Sequence, residues 1–94
     1  MVEQGEILRI EGLSFLTIVI SKNAYNHEEK VLVCPIIKKE PKATLKLKMD
    51  NGWVICDDIH RIDLSVRGFQ RKGRVGLGKM MMIIDRVQSL FDCY

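Results

Sequence analysis

The chain has 94 residues, 47% apolar and 29% charged, with a net charge of +3. Those values describe one ordinary globular domain, spanning 1–94, with a modest core. They exclude a membrane span, because no apolar run approaches the ~20 residues that one requires. The opening Met1-Val2-Glu3-Gln4-Gly5-Glu6 has neither the basic nor the apolar region of a secretory signal, so a cytoplasmic location is expected.

Leu8 and Ile10 alternate with Arg9 and Glu11, which predicts a half-buried first strand over Glu6–Ile10, with Ile7 on its other face. Phe15-Leu16-Thr17-Ile18-Val19-Ile20 is continuous and rich in β-branched residues, the pattern of a strand covered on both faces. The polar stretch Ser21–Lys30 reads as a loop. Tyr25 stands out in it and reads as an anchor folded onto the core, with a stacking platform for a base as the alternative. Val31-Leu32-Val33-Cys34 is a third strand, expected to stop at Pro35. A lysine-rich loop follows, then the alternating strand Thr44–Met49. Asp50-Asn51-Gly52 supplies a hairpin turn and Trp53–Cys56 the returning strand.

Ile59–Leu64 is another short strand. Arg67–Val75 reads as a basic loop, with a brief last pairing at Arg74-Val75. From Leu77 to Phe91 the apolar positions 77, 80, 81, 84, 87, 90 and 91 mark an amphipathic helix. Met82 and Ile83 widen its apolar stripe enough to suggest a second covered surface, and with the small core this favours a homodimer. Several short strands and one terminal helix predict a mainly β fold, a small antiparallel barrel with a C-terminal α-helix. Cys34, Cys56 and Cys93 are an odd count without C-x-x-C spacing, which argues against a disulfide framework and a zinc site. Cys34 and Cys56 read as small core residues.

Charge is unevenly spread. Residues 38–48 carry five lysines against Glu40, and 61–79 carry six bases against Asp63. Two basic segments could offer one face to a polyanion, or simply form solvated loops. Ionisable groups gather beside predicted strands at Asp57-Asp58, His60 and Arg61.

The order of these motifs resembles the MazF/PemK-type toxins of bacterial toxin–antitoxin systems. Gly5-Glu6-Ile7-Leu8-Arg9-Ile10 is similar to that family's opening strand, and Phe15–Ile20 with Ala24-Tyr25-Asn26 to its second strand and following loop. Val31–Ile36 is similar to its third strand, and Val54–Asp63 to its V-x-x-D-Q-[IV]-[RK]-[TS]-[IV]-D stretch. Gly68 and Arg71-Lys72-Gly73-Arg74-Val75 resemble its closing basic segment. The resemblance implies an SH3-like barrel, a homodimer, and an endoribonuclease acting on single-stranded RNA; no cofactor is expected, and His60 with Asp57 and Cys34 or Cys56 makes no convincing metal set. The resemblance also implies an acidic antitoxin that covers the RNA groove.

Four residues depart from that pattern. Phe15 and Leu16 stand where the family has an Arg-Pro pair, Ile37 where it has a hydroxyl residue, and Asp58 where it has Gln. Phe and Ile can neither stabilise charge on a phosphate nor position it. Cleavage by attack of a 2′-hydroxyl would then need other groups. Asp57, His60 and Arg61 are the candidates, with His27 as a possible second histidine, and Lys22, Tyr25, Arg67, Arg71 and Lys72 are the candidate RNA contacts. The other reading is a relative that binds RNA or antitoxin without cutting, and the Phe15 and Ile37 replacements favour it.

Overall fold

A computed structural model describes residues 1–91, so Cys93 lies outside it. The elements are β1 (Glu6–Ile10), β2 (Leu16–Val19), a one-turn helix α1 (Asn23–Asn26), β3 (Lys30–Ile37), β4 (Lys46–Met49), β5 (Gly52–Ile55), β6 (His60–Asp63), β7 (Phe69–Arg74) and α2 (Leu77–Gln88), with a 3-10 turn at Ser89–Phe91. The strands form one antiparallel sheet in the order β4-β5-β3-β2-β1-β7, with β6 also on β3. Among the described residues no ladder joins β7 to β4 or β6, so the predicted barrel is a loose one, open along that seam. No helix among them is long and apolar enough to cross a membrane.

Alternation along β1 explains how both faces of this sheet are filled. Ile7 joins a cluster with Ile18, Cys34, Ile36, Val54 and the α2 residues Met80, Ile83 and Val87. Leu8 and Ile10 point the other way, into a cluster with Val19, Val31, Val33 and Ile62. β2 divides its residues in the same manner, as its continuous apolar run predicts. Thr17 is fully buried there and donates from Oγ1 to Leu8 O at 2.9 Å, which satisfies its hydroxyl.

Five expectations need correction. β3 does not stop at Pro35 but continues to Ile37. The Ile20 amide donates to Leu32 O, so even-numbered residues of β3 face β2 and odd-numbered ones face the opposite edge. On that edge β6 pairs as far as Val33 and β5 begins at Ile36. Pro35 sits in the gap, where its missing N–H breaks no ladder bond.

The loop after β2 holds the helical turn α1, and its anchor is Asn26 rather than Tyr25. Asn26 is 1% exposed, whereas Tyr25 is 42% exposed. Asn26 Nδ2 donates to Ser21 O at 3.1 Å and to Val2 O at 3.3 Å, and its Oδ1 accepts from Ser21 Oγ. Ser21 Oγ in turn accepts the Leu32 amide at 3.0 Å. Asn26→Ala should therefore cost about 1–3 kcal/mol by leaving buried partners unpaired. Tyr25→Ala should cost under ~1 kcal/mol, as exposed positions do. Urea unfolding of the two variants checks that order.

The basic loop is largely a strand. Phe69–Arg74 pairs with β1, with a bulge that leaves Lys72 between the partners of Ile7 and Leu8. The strand that was expected to begin at Thr44 begins at Lys46.

The helix is present, but its buried line is Met80, Ile83 and Val87, while Leu77 and Met81 remain exposed. Its rotation is set by polar contacts along one flank: Arg86 Nε donates to Lys46 O at 3.0 Å and Lys79 Nζ to Lys48 O at 3.3 Å.

Cys34 and Cys56 are free and buried in the α2-side core. Burial pushes the Cys34 thiol up to about 12, with smaller contributions from Cys56, Asp58 and Asp57. Burial likewise raises Cys56 to about 11. Thiols held so far above neutral pH carry almost no thiolate. In a Cys93→Ser protein an aromatic disulfide reagent should label no thiol until denaturant is added, and labelling of the native protein would contradict this packing.

Candidate functional site

Three of the four departing residues, Phe15, Leu16 and Ile37, converge in space. Phe15 immediately precedes β2, Leu16 opens it, Ile37 ends β3, and Leu16 pairs with Ile36. They line a groove of about 350 Å³ together with Arg9, Ser14, Ile36, Lys38 and Asn51. Its floor is apolar, because Phe15, Leu16 and Ile37 are only half-buried and Ile36 is buried. Its rim carries two exposed cations, Arg9 and Lys38, a hydroxyl from Ser14 and an amide from Asn51. Arg9 reaches it from β1, where it lies opposite Leu16. Among the described residues neither Arg9 nor Lys38 takes part in an ion pair, so both charges face solvent.

Arg9 also borders a second open groove of about 380 Å³, formed with Glu11, Gly68, Phe69 and Gln70. One guanidinium therefore stands between two concavities on the same end of the sheet. A chain of phosphates crossing this end would meet Arg9 in either groove.

His60 lies beside Phe15, with ring centroids 6.0 Å apart. Its Nε2 is 2.9 Å from Asp58 Oδ1, an ion pair when the ring is protonated. The approach is off the direction of a ring hydrogen bond, and Nε2 is buried with no other partner among the described residues. Asp57 is exposed in the turn before it. His60 and Arg61 are neighbours on β6, so they point to opposite faces of the sheet. Arg61 Nε donates to Tyr25 Oη at 3.2 Å, and both line a shallow hollow of about 210 Å³ with His27. The candidate set is thus divided: Asp58, His60 and Phe15 meet on one face, and Arg61, Tyr25 and His27 meet on the other.

The candidate RNA contacts are also separated. Lys22 borders an apolar groove along α2 with Leu77, Met81 and Ile84. Arg71 donates to Glu6 Oε2 at 3.3 Å and to Met1 O at 3.2 Å. Arg74 pairs with Glu3 and stands 3.8 Å from Glu6 Oε1. Two charges of the basic segment are therefore offset by the acidic N-terminus, and all four bases are exposed, but among the described residues Arg67 and Lys72 make no ion pair. Among the described residues no group of three or more His, Cys, Asp or Glu could hold a metal ion.

Arg9, Ser14, Lys38 and Asn51 were not singled out by sequence. Arg9 reads simply as the polar half of an alternating strand, and its place opposite Leu16 is a matter of register between strands.

The fold has well-matched relatives among solved structures. MazF in a MazE–MazF crystal structure from Deinococcus radiodurans superposes with a TM-score of 0.83 at 16% identity, over 96% of this chain and 95% of that one. An endoribonuclease in complex with its cognate antitoxin, from a mycobacterial species, gives 0.84 at 18% identity, over 97% and 95%. Another endoribonuclease from a mycobacterial species gives 0.83 at 20% identity, over 96% and 90%. No curated protein matches the sequence. The model of the PemK-like, MazF-like toxins of type II toxin–antitoxin systems matches residues 15–91. With that match across most of its length, on a sheet and helix arranged as in MazF, the chain belongs to the PemK-like, MazF-like toxin family.

Proposed function

We propose that this toxin-family chain engages single-stranded RNA in the groove of Phe15, Leu16, Ile37, Arg9 and Lys38, as a homodimer whose groove an acidic antitoxin covers. The observation that carries the reading is the groove itself. The positions where family resemblance places catalytic residues come together there, and cations from other strands border them. Solved relatives found in complex with an antitoxin support a partner of that kind. Apolar Phe15 and Ile37 favour gripping the strand over cutting it, because the hydroxyl and guanidinium that resemblance leads one to expect are replaced.

One arrangement favours cleavage as a second reading. Asp58 lies 2.9 Å from His60 Nε2 and would stabilise the imidazolium form of the ring next to Phe15, and Arg9 can face a phosphate. In that scheme His60 takes the proton from the 2′-hydroxyl as the new O–P bond forms. The bond to the 5′-oxygen breaks, that oxygen takes a proton from solvent water as it leaves, and Arg9 offsets the charge on the phosphoryl oxygens. Asp57 neighbours this pair in sequence, while Arg61 serves the opposite face with Tyr25.

The test uses a long single-stranded RNA without added metal, with the parent, Arg9→Gln and His60→Ala proteins. Retardation on a gel, weakened in Arg9→Gln, is expected. Its dependence on salt should be shallower by about 0.7 in log–log slope for the lost phosphate contact. Discrete cuts abolished in His60→Ala would establish the cleaving form. RNA that is neither retarded nor cut would overturn the proposal.

A further inference from the structure

The face that carries the groove continues past it onto β5 and β4. Trp53 pairs with Ile37 on one side and with Lys48 on the other, so the three side chains form one cross-strand row. Their neighbours Val54 and Leu47 are buried in the α2-side core, which turns Trp53 and Lys48 outward. Trp53 is half-buried and Lys48 exposed. Two ammonium groups lie over the indole, Lys46 Nζ at 5.6 Å and Lys48 Nζ at 6.0 Å from the ring centre. They are not equivalent. Lys46 is held by Glu40 at 2.9 Å and by Pro41 O at 3.0 Å, so its charge is offset and its position set. Lys48 has no ion pair among the described residues and rests on the indole alone.

An outward aromatic beside an uncompensated lysine is the pair of groups that single-stranded nucleic acids use. A base stacks on the ring, and the ammonium neutralises the adjoining phosphate. An acidic peptide would use the charge but would leave the indole without a flat partner. Trp53 and Phe15 stand on either side of β3, about 10 Å apart at two strand spacings. A strand lying in the groove reaches both without bending.

Resting on the reading above, we infer that Trp53 and Lys48 form a nucleotide subsite flanking the groove, in which a base stacks on the indole and Lys48 takes the neighbouring phosphate. The row Lys48–Trp53–Ile37 extends the RNA path across the sheet. It makes the hairpin β4–β5 part of the recognition surface.

Trp53 is the sole tryptophan of the chain, so its emission reports this subsite alone. A mixed-sequence single-stranded RNA of twenty nucleotides carrying a terminal dye is titrated with the full chain, and dye anisotropy and tryptophan emission are followed together. Emission should fall in step with the rise in anisotropy. Lys48→Gln, an exposed change that leaves folding intact, should weaken binding and lower the log–log salt slope by about 0.7. Trp53→Leu, checked for folding by circular dichroism, should weaken binding about 5- to 100-fold, the loss of one stacked base. Rising anisotropy with constant emission and undiminished binding by Lys48→Gln would overturn the subsite while leaving the groove reading in place. Flat anisotropy would overturn both. Quenching by a polyglutamate peptide but not by RNA would make this a protein-binding face and refute the inference.

Discussion

Gly52→Ala is expected to destabilise the protein by about 2–5 kcal/mol, from backbone strain and steric overlap together. Gly52 closes the β4–β5 hairpin with φ at +133°, a conformation that residues with a Cβ rarely adopt. A Cβ at this position would lie 2.3 Å from Ile37 O, a backbone atom of β3 that cannot swing aside. The same clash would push β5 away from the end of β3, where Ile37 and Trp53 pair. The effect should therefore reach the groove as well as the fold. Domains of this size are stable by only about 5–15 kcal/mol, so the loss would be plain in urea unfolding. Gly78→Ala is the control. Gly78 lies in α2 with open space where a Cβ would go, and alanine there should stabilise by about 0.5–1 kcal/mol. Equal effects at the two glycines would contradict the packing of the hairpin on β3.

Ile83→Ala should cost about 2–5 kcal/mol, the range for emptying a buried aliphatic site. Ile83 is fully buried and touches the core that Ile7, Ile18 and Cys34 build on the sheet. It is the central residue of the line Met80, Ile83, Val87 that joins α2 to the strands. Met82→Ala, one position away, should change stability by under ~0.5 kcal/mol because that side chain is 42% exposed. Thermal unfolding of both variants settles the helix rotation, and a larger loss at Met82 would mean that the helix packs on another face.

That rotation is a useful measure of what could be read in advance. Residues Met80 to Ile84 are five consecutive apolar positions, so periodicity names a helix without choosing its buried side. The choice comes from Lys79 and Arg86, which donate to carbonyls of β4, a pairing known only once the strands are placed. β1 was legible to its bounds because Leu8 and Ile10 alternate with charged residues. Pro35 misled, because the rule that proline ends a strand assumes a partner along the whole edge, and here the edge changes partner at that residue. The basic segment hid a strand because β7 is an edge whose residues beyond Phe69 are all exposed, leaving no apolar alternation to find. The candidate site was legible in part. Phe15 and Ile37 were known as departures from their family pattern, but Arg9 and Lys38 join them only through strand register and loop placement. His60 and Arg61, adjacent in sequence, were read as one site, and strand geometry puts them on opposite faces.

The most direct test of the account is an NMR map of backbone amide shifts in the labelled protein as single-stranded RNA is added. Shifts are expected at Arg9, Ser14, Phe15, Ile37 and Lys38, extending to Trp53 and weakening in Arg9→Gln. Shifts confined to Tyr25, His27 and Arg61, or to α2, with the groove unmoved, would contradict the account.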